Sequence, residues 1–447
     1  MKQKIKLYAF LSLLYFVPRL VSLSFHFPPI NLTSAYLKIS DYWELSHDLL
    51  RHGILGMGGT KTTGFEPLYP LFLAGARWIT GDNIFLVMAL QILIGLIGCL
   101  YLYELACLLS KNKRVGLVTS VLYSLYPYLL YQTGTVTEIT LFATLLIISA
   151  YYYTQIYNRH CEPEGRSNLS FKGEIASSAR SLLAMTLLTG IFFGLTILTR
   201  YAALPIILLA LGALMVKKSY QYALTIGAIV LIILLPMAIR NYRIDGSLFL
   251  TRSGENLFDG NLEYSDKLIP YYNVDLLTYY IYGLVGKERP DLAIGIGTRK
   301  ERDQFFTQKA FEFIKVNPWR TLKLKIKNVG YLFYPRLVPF HPMHRDSKLI
   351  WYDNGSYRVE NPGRRSIFHE LSYTISYGFI ALTAMIGIYI RRKEFGKDLI
   401  LYLIVFSFIV VYSLYFPTTR LRAPMDFILI FYSACTIESF LKRFKFQ

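Results

Sequence analysis

Stretches of about 20 apolar residues recur along this chain from its first residues to its last, each long enough to cross the roughly 30 Å hydrocarbon core of a bilayer as a helix. Ten segments fit: 7–25, 83–110, 115–132, 138–157, 181–199, 201–216, 220–239, 367–390, 399–416 and 423–440. In hydrocarbon every backbone N–H and C=O must find its partner inside the segment or in a closed barrel. The expected fold class is therefore an all-α membrane protein. It is a polytopic helical bundle of about ten spans, nine to twelve by where the ends are drawn, with extracytoplasmic juxtamembrane helices and a mixed outer loop region. The 53% hydrophobic content, against 17% charged, agrees with a bilayer as solvent. The first apolar run ends in Pro18-Arg19 and bulky residues with no small-residue cleavage site, so it reads as a retained helix and not as a signal peptide.

The net charge of +19 could point to nucleic acid, but the cations stand in short runs at the ends of apolar segments. These runs are Lys2/Lys4/Lys6, Lys111/Lys113/Arg114, Lys217/Lys218, Arg391/Arg392/Lys393/Lys397 and Lys442/Arg443/Lys445. A ten-span path places all of them, and both termini, on one side, which positive-inside bias makes cytoplasmic. The expectation is a multi-pass protein of the cell's inner (plasma) membrane, with the bilayer and not nucleic acid as its partner. Cys99, Cys107, Cys161 and Cys435 form neither a disulfide framework nor a metal-ligand spacing.

Residues 1–447 read as one transmembrane domain without internal repeats. Its functional side is extracytoplasmic: a first loop at 24–82, a short turn at 133–137 and a large segment at 240–366. The cytoplasmic loop 158–180, mixed in charge, reads as a tolerated insertion. Within the first loop, 41–52 has Tyr42, Leu45 and Leu49 on one helical face and Asp41, Glu44 and Asp48 on another. Segment 67–80 is apolar but too short to span, so both are expected to lie at the membrane interface. Segment 331–340, broken by Pro335, Arg336 and Pro339, is not counted as a span.

Two acids and five arginines face the outer side on this path. Asp41 reads either as a helix cap, with Glu44 in capping-box position, or as a carboxylate at the water–membrane boundary able to take a proton from a nucleophile. Glu138 reads either as the acid of a capping box opened by Thr135, or as an ionisable group placed for function at the edge of the bundle. Arg200, Arg240, Arg243, Arg420 and Arg422 stand at outward ends of spans, where positive-inside bias predicts few cations. They read as anion-binding, most simply to a phosphate gripped by parallel hydrogen bonds, or as snorkelling to head groups. Together these groups suit one reaction, in which arginines steady a lipid-phosphate leaving group while a carboxylate activates an incoming hydroxyl. No Ser-His-Asp order or phosphate-binding Gly-rich loop stands out. His341-x-x-His344 is a weak pair, so no cofactor is certain and a divalent metal is not indicated.

Several short pieces, in this order, resemble a known family. They are Ser40-Asp41-Tyr42-Trp43, Glu66-Pro67-Leu68-Tyr69-Pro70-Leu71-Phe72-Leu73-Ala74, Tyr126-Pro127, Thr137-Glu138, Gly194 to Arg200, Arg240-Asn241-Tyr242 and Arg420-Leu421-Arg422-Ala423-Pro424. The chain resembles GT-C glycosyltransferases of the protein O-mannosyltransferase and lipid A aminoarabinose transferase type. The resemblance implies transfer of a sugar from a polyprenyl-phosphate donor, with inversion, to an extracytoplasmic acceptor: a protein, lipid A or another glycan. It implies that Asp41 matches the family's first-loop acid and Glu138 the second acid, with Arg200, Arg240 and Arg420 as phosphate contacts and Arg243 and Arg422 beside them. Glu66 and Tyr69, and Glu255 and Asn256 in Ser253-Gly254-Glu255-Asn256, are then expected to touch sugar or acceptor. A lipid-linked glycan flippase or transporter would instead want ionisable groups along mid-span positions, of which Glu104 is the exception here. A polysaccharide polymerase or ligase would not need the acid after the first helix.

Overall fold

The computed structural model describes residues 2–26, 41–159, 172–249, 252–261, 265, 269, 287–293, 298–337, 348–351, 357–360 and 367–444. Cys161, the pair His341 and His344, and the centre of the 158–180 insertion lie outside these residues.

In chain order the first helices are α1 (Lys2–His26), α2 (Asp41–His52), α3 (Leu68–Thr80), α4 (Ile84–Ser110), α5 (Lys113–Leu125), α6 (Pro127–Thr133), α7 (Ile139–Arg159) and α8 (Lys172–Thr199). Then follow α9 (Leu204–Val216), α10 (Tyr220–Asp245), α11 (Ser253–Asp259), α12 (Arg299–Val316), α13 (Pro318–Leu332), α14 (Ile367–Arg391), α15 (Leu399–Leu414) and α16 (Asp426–Phe444). Two antiparallel hairpins interrupt them: β1 (Gly56–Met57) with β2 (Thr60–Lys61), and β3 (Lys348–Trp351) with β4 (Tyr357–Glu360). The chain is a multi-pass helical membrane protein. Among the described residues, α1, α4, α7, α8, α10, α14 and the helical run Thr419–Arg443 are long and apolar enough to cross a bilayer, while Tyr201–Val216 and Leu399–Leu414 are shorter apolar helices.

Three boundaries differ from the sequence expectation. Segment 115–132 is not one span but two helices, because Pro127 has no N–H to donate and its ring disfavours helical geometry at Tyr126, which stands extended at φ −65°, ψ 116°. The break frees carbonyls at the end of α5, and the buried Arg19 of α1 donates to Ser124 O at 2.7 Å and Tyr123 O at 3.4 Å. A guanidinium there also complements the negative end of the α5 dipole. Second, α8 begins at Lys172, so the end of the 158–180 loop is helical. Third, α10 runs on to Asp245, so Arg240 and Arg243 belong to a helix and not to the loop after it.

Helices α7 and α16 form the centre of the bundle, with 83% and 78% of their apolar windows buried inside the protein against 22% for α10. Helix α10 turns Leu224, Leu231, Ile232 and Leu235 outward, as a lipid-facing helix does. Its inner side meets α8 closely at Gly190 and Gly194, where an added Cβ would lie 2.8–2.9 Å from Ile229 and Ile233.

The basic runs gather at one end of this bundle. Lys4 pairs with Glu104 at 2.8 Å, Arg114 with Glu438 at 3.8 Å, and Arg391 donates to Leu109 O at 3.0 Å while pairing with the buried Asp398 at 2.6 Å. The starts of α7 and α16 and the end of α8 lie at the other end. There α2 packs on α3 and the β1–β2 hairpin, α11 on α12, and α13 on the end of α15.

Candidate active site

The central helices decide where the charged groups meet. Glu138 is the residue before α7, Arg200 the residue after α8, and Arg420 lies in the single turn Thr419–Arg422 that leads into α16. The Glu138 side chain is 2% exposed and accepts Arg200 Nη1 at 2.6 Å on one oxygen and Arg420 Nη2 at 2.7 Å on the other. Burying a lone carboxylate is costly, and two guanidiniums held by direct hydrogen bonds offset that cost. Two cations against one anion give the triad itself a unit of positive charge, with the Glu66 carboxyl beside Arg200. Arg200 lies 5.8 Å from the Tyr412 ring of α15.

Glu138 is not the acid of a capping box. It stands at the helix entrance and not three residues inside it, and Thr135 Oγ1 donates to Gln132 O at 2.8 Å instead. Gln91, a polar residue within the apolar α4, braces this turn. It donates to Thr133 O at 3.1 Å and Thr135 O at 3.0 Å, and accepts from the Tyr69 hydroxyl at 2.8 Å.

Tyr69 and Glu66 belong to the first loop. Glu66 accepts the Tyr201 N–H at 3.1 Å, which sets its carboxylate beside Arg200. Burial pushes the Glu66 carboxyl above the ordinary range, against the Tyr201 N–H and the Arg200 charge, which favour ionisation. Tyr42 packs edge-on against Tyr69 with ring centroids 5.1 Å apart and against Phe65 at 6.0 Å. Burial first, and then the Glu138 and Glu66 charges, hold its phenol well above its ordinary range, so it is a neutral donor in the field of Arg200 and Arg420.

Asp41 lies at the rim, one residue before Tyr42, with its side chain 49% exposed. Arg252 stands 3.7 Å from it and lies over the Phe65 ring at 4.7 Å. Asp41 and the buried cluster are thus joined through the Phe65–Tyr42–Tyr69 aromatic stack. Glu255 of α11 pairs with Arg302 at 2.5 Å and Arg299 at 3.7 Å, and Asn256 follows it on the same helix. Gly254 fits against α12 only without a side chain: its N–H donates to Asp303 Oδ1 at 2.7 Å, and a Cβ would meet Asp303 O at 2.1 Å.

The five arginines expected to act together divide. Arg200 and Arg420 meet at Glu138. Arg240 instead clamps the first loop, donating to Leu55 O at 2.7 Å and Thr62 O at 2.8 Å on either side of the β1–β2 hairpin. Thr63, next in that loop, hydrogen-bonds Asp245 of the same helix. Arg422 is buried in a structural ion pair, with Asp426 at 2.9 Å, the Tyr373 hydroxyl at 2.8 Å and the Tyr377 ring at 3.7 Å from its guanidinium carbon. Arg243 lies in the last turn of α10 and is not among the described residues that pair with Glu138. The sequence reading missed Gln91, Tyr412 and Arg252. Gln91 alone carried a signal, as a lone amide within an apolar span. Among the described residues no three His, Cys, Asp or Glu side chains group as metal ligands.

The family model described as dolichyl-phosphate-mannose-protein mannosyltransferase matches residues 64–162, the stretch that carries Glu66, Tyr69 and Glu138. The apo oligosaccharyltransferase of Archaeoglobus fulgidus superposes with a TM-score of 0.53 at 13% identity, over 98% of this chain and 50% of that one. The same enzyme tethered to an acceptor peptide containing the NVT sequon gives 0.52 at 15% identity, over 96% and 49%. The chain shares the fold of this oligosaccharyltransferase. The chain spans about half the length of the oligosaccharyltransferase it matches. No curated protein sequence matches it.

Proposed function

We propose that this chain is a membrane glycosyltransferase that moves a sugar from a polyprenyl-phosphate donor to an extracytoplasmic acceptor, with inversion at the anomeric carbon. The observation that carries the reading is the Arg200–Glu138–Arg420 cluster, buried where two central helices end. Its excess positive charge suits a phosphate arriving from the lipid side, and Glu138 presents both guanidiniums in fixed orientation. The family match over residues 64–162, with its dolichyl-phosphate-mannose description, supports a polyprenyl-phosphate donor.

Asp41 is the group for the acceptor. Half-exposed at the start of α2, it takes the proton as the acceptor hydroxyl attacks the anomeric carbon, and the sugar–phosphate C–O bond breaks with its electron pair leaving on the lipid phosphate. Arg200 and Arg420 stabilise the charge that collects on that phosphate. Glu66, beside Arg200, and Asn256 of α11 are assigned as sugar or acceptor contacts; Tyr69 is buried with its hydroxyl on Gln91 and Glu255 is held by Arg299 and Arg302, so they are assigned to positioning. Arg240 and Arg422 bind main-chain carbonyls, Asp426 and Tyr373, so the phosphate role is assigned to Arg200 and Arg420. Transport has less support, because Glu104, the acid expected mid-span, lies toward the basic end of the bundle, paired with Lys4 and hydrogen-bonded by Tyr8. With the basic ends of the spans in the cytoplasm, the site opens outward, at the surface of the inner (plasma) membrane.

The test is turnover by the purified chain in liposomes with a radiolabelled polyprenyl-phosphate sugar and a mixture of protein, lipid A and glycan acceptors. The proposal expects label on one acceptor class and release of polyprenyl phosphate. Movement of intact labelled lipid across the bilayer without sugar transfer would replace the enzyme reading with a flippase.

A further inference from the structure

Helix α13 carries a pattern that sugar transfer does not use. Its sequence, PWRTLKLKIKNVGYL, holds Arg320, Lys323, Lys325 and Lys327 and no acid. Thr321, Leu324, Asn328 and Leu332 are buried and, at about 100° per residue, lie on one face. The opposite face is exposed and divided lengthwise. Trp319 (81% exposed), Leu322 (50%) and Ile326 (66%) form its apolar edge, and the exposed Lys323 and Lys327 form a basic edge beside it. A surface helix of a soluble layer would not turn a tryptophan, a leucine and an isoleucine to water in one line.

The height of α13 is fixed by hydrogen bonds. Lys325 Nζ donates to Leu414 O at 2.7 Å and to Gly260 O at 3.1 Å, and Asn328 Nδ2 donates to Ser413 O at 3.1 Å. Ser413 and Leu414 are the last residues of the apolar α15 and directly follow Tyr412, whose ring lies near Arg200. The inner face of α13 is thus pinned where a membrane-embedded helix leaves the hydrocarbon. At about 1.5 Å per residue, its 15 residues extend roughly 22 Å, too short to cross the core. An amphipathic helix at that height meets the zone where acyl chains give way to head groups.

The geometry points to α13 as a phospholipid-docking helix of this protein. Its Trp319–Leu322–Ile326 edge lies in the acyl boundary of the leaflet at the active-site end, and Lys323 and Lys327 engage the phosphates of anionic head groups. The charge of the outer face is what selects the occupant: the exposed Lys323 and Lys327, with no acid on the helix, favour anionic over zwitterionic phospholipid.

The full-length chain in nanodiscs provides the test. The emission difference between the unmodified protein and Trp319→Phe isolates the Trp319 signal. Acyl-brominated phosphatidylcholine is expected to quench that signal by at least about twofold, while aqueous iodide leaves it nearly unchanged. In nanodiscs of mixed phosphatidylglycerol and phosphatidylcholine, phosphatidylglycerol is expected to be enriched at the protein, and Lys323→Gln/Lys327→Gln, both on exposed side chains, to lower the enrichment at least about twofold. Quenching by iodide in place of brominated lipid would show the face in water. Protection from both quenchers would show it covered by protein. Unchanged lipid enrichment in the double variant would remove the anionic head group. Each of these three results overturns the proposal, and none depends on turnover.

Discussion

Glu138 and Asp41 stand at the same end of the bundle, but Glu138 is buried between two guanidiniums at 2.6 and 2.7 Å, whereas Asp41 is half exposed with one guanidinium at 3.7 Å. The contrast separates building a site from doing chemistry in it. A buried carboxylate with both oxygens occupied is poorly placed to collect a proton, and well placed to fix two cations where water cannot screen them. An exposed carboxylate contributes little to the fold and is accessible to an acceptor. Under the proposed function the two acids, alike in sequence, divide the work of holding the donor and activating the acceptor.

Substitutions can break this division, and the largest effect belongs to Glu138. Glu138→Gln leaves two buried guanidiniums without their counter-charge, and we expect a loss of about 3–5 kcal/mol in stability. Turnover in any surviving folded protein should fall with it, by a thermal-unfolding and activity comparison in one detergent. Arg422→Met sharpens the point from the other side. It strips the buried Asp426 of its partner without touching the Glu138 cluster, so stability should drop by a similar several kcal/mol, about 3 or more. Turnover per folded molecule should stay within a few-fold; a collapse of turnover in soundly folded protein would place Arg422 in the site.

Asp41→Asn should show the reverse. The pair with Arg252 is exposed and loose, so unfolding should shift by less than about 1 kcal/mol, while transfer falls by about 100-fold or more with the loss of a general base. Near-normal turnover would remove Asp41 from the mechanism. Arg240→Gln is intermediate. It loosens the clamp on the loop that carries Glu66, and we expect about 1–3 kcal/mol of destabilisation from the carbonyls left without donors, with KM raised more than kcat is lowered. Arg252→Ala should be the smallest, under about 1 kcal/mol, with a modest change in acceptor KM.

Much of this was legible in the residues. The apolar spans follow from hydropathy, and the gathering of basic runs at one end follows from counting spans, because each crossing reverses direction. Pro127 carried the signal for the break in 115–132, but the apolar run on both sides hid it. The division of the arginines was not legible. Glu138 and Arg420 are 282 positions apart in the chain, and nothing local distinguishes Arg420, which meets the acid, from Arg422 two residues later, which turns to Asp426. That choice is made by the turn Thr419–Arg422, which points successive side chains to different faces. Arg240 was read as anion-binding for its place at a helix end, yet the hairpin carbonyls it holds come from a loop about 180 residues earlier.

The most direct measurement is equilibrium binding of a polyprenyl phosphate without its sugar to the purified chain, compared across the unmodified protein, Arg200→Gln and Asp41→Asn. If Glu138 orients a phosphate site built from Arg200 and Arg420, Arg200→Gln weakens binding at least about tenfold, as loss of a charge-assisted contact of roughly 1.5–3 kcal/mol would, and Asp41→Asn binds as the unmodified protein does. Equal binding by all three, or weakening by Asp41→Asn alone, would contradict the assignment.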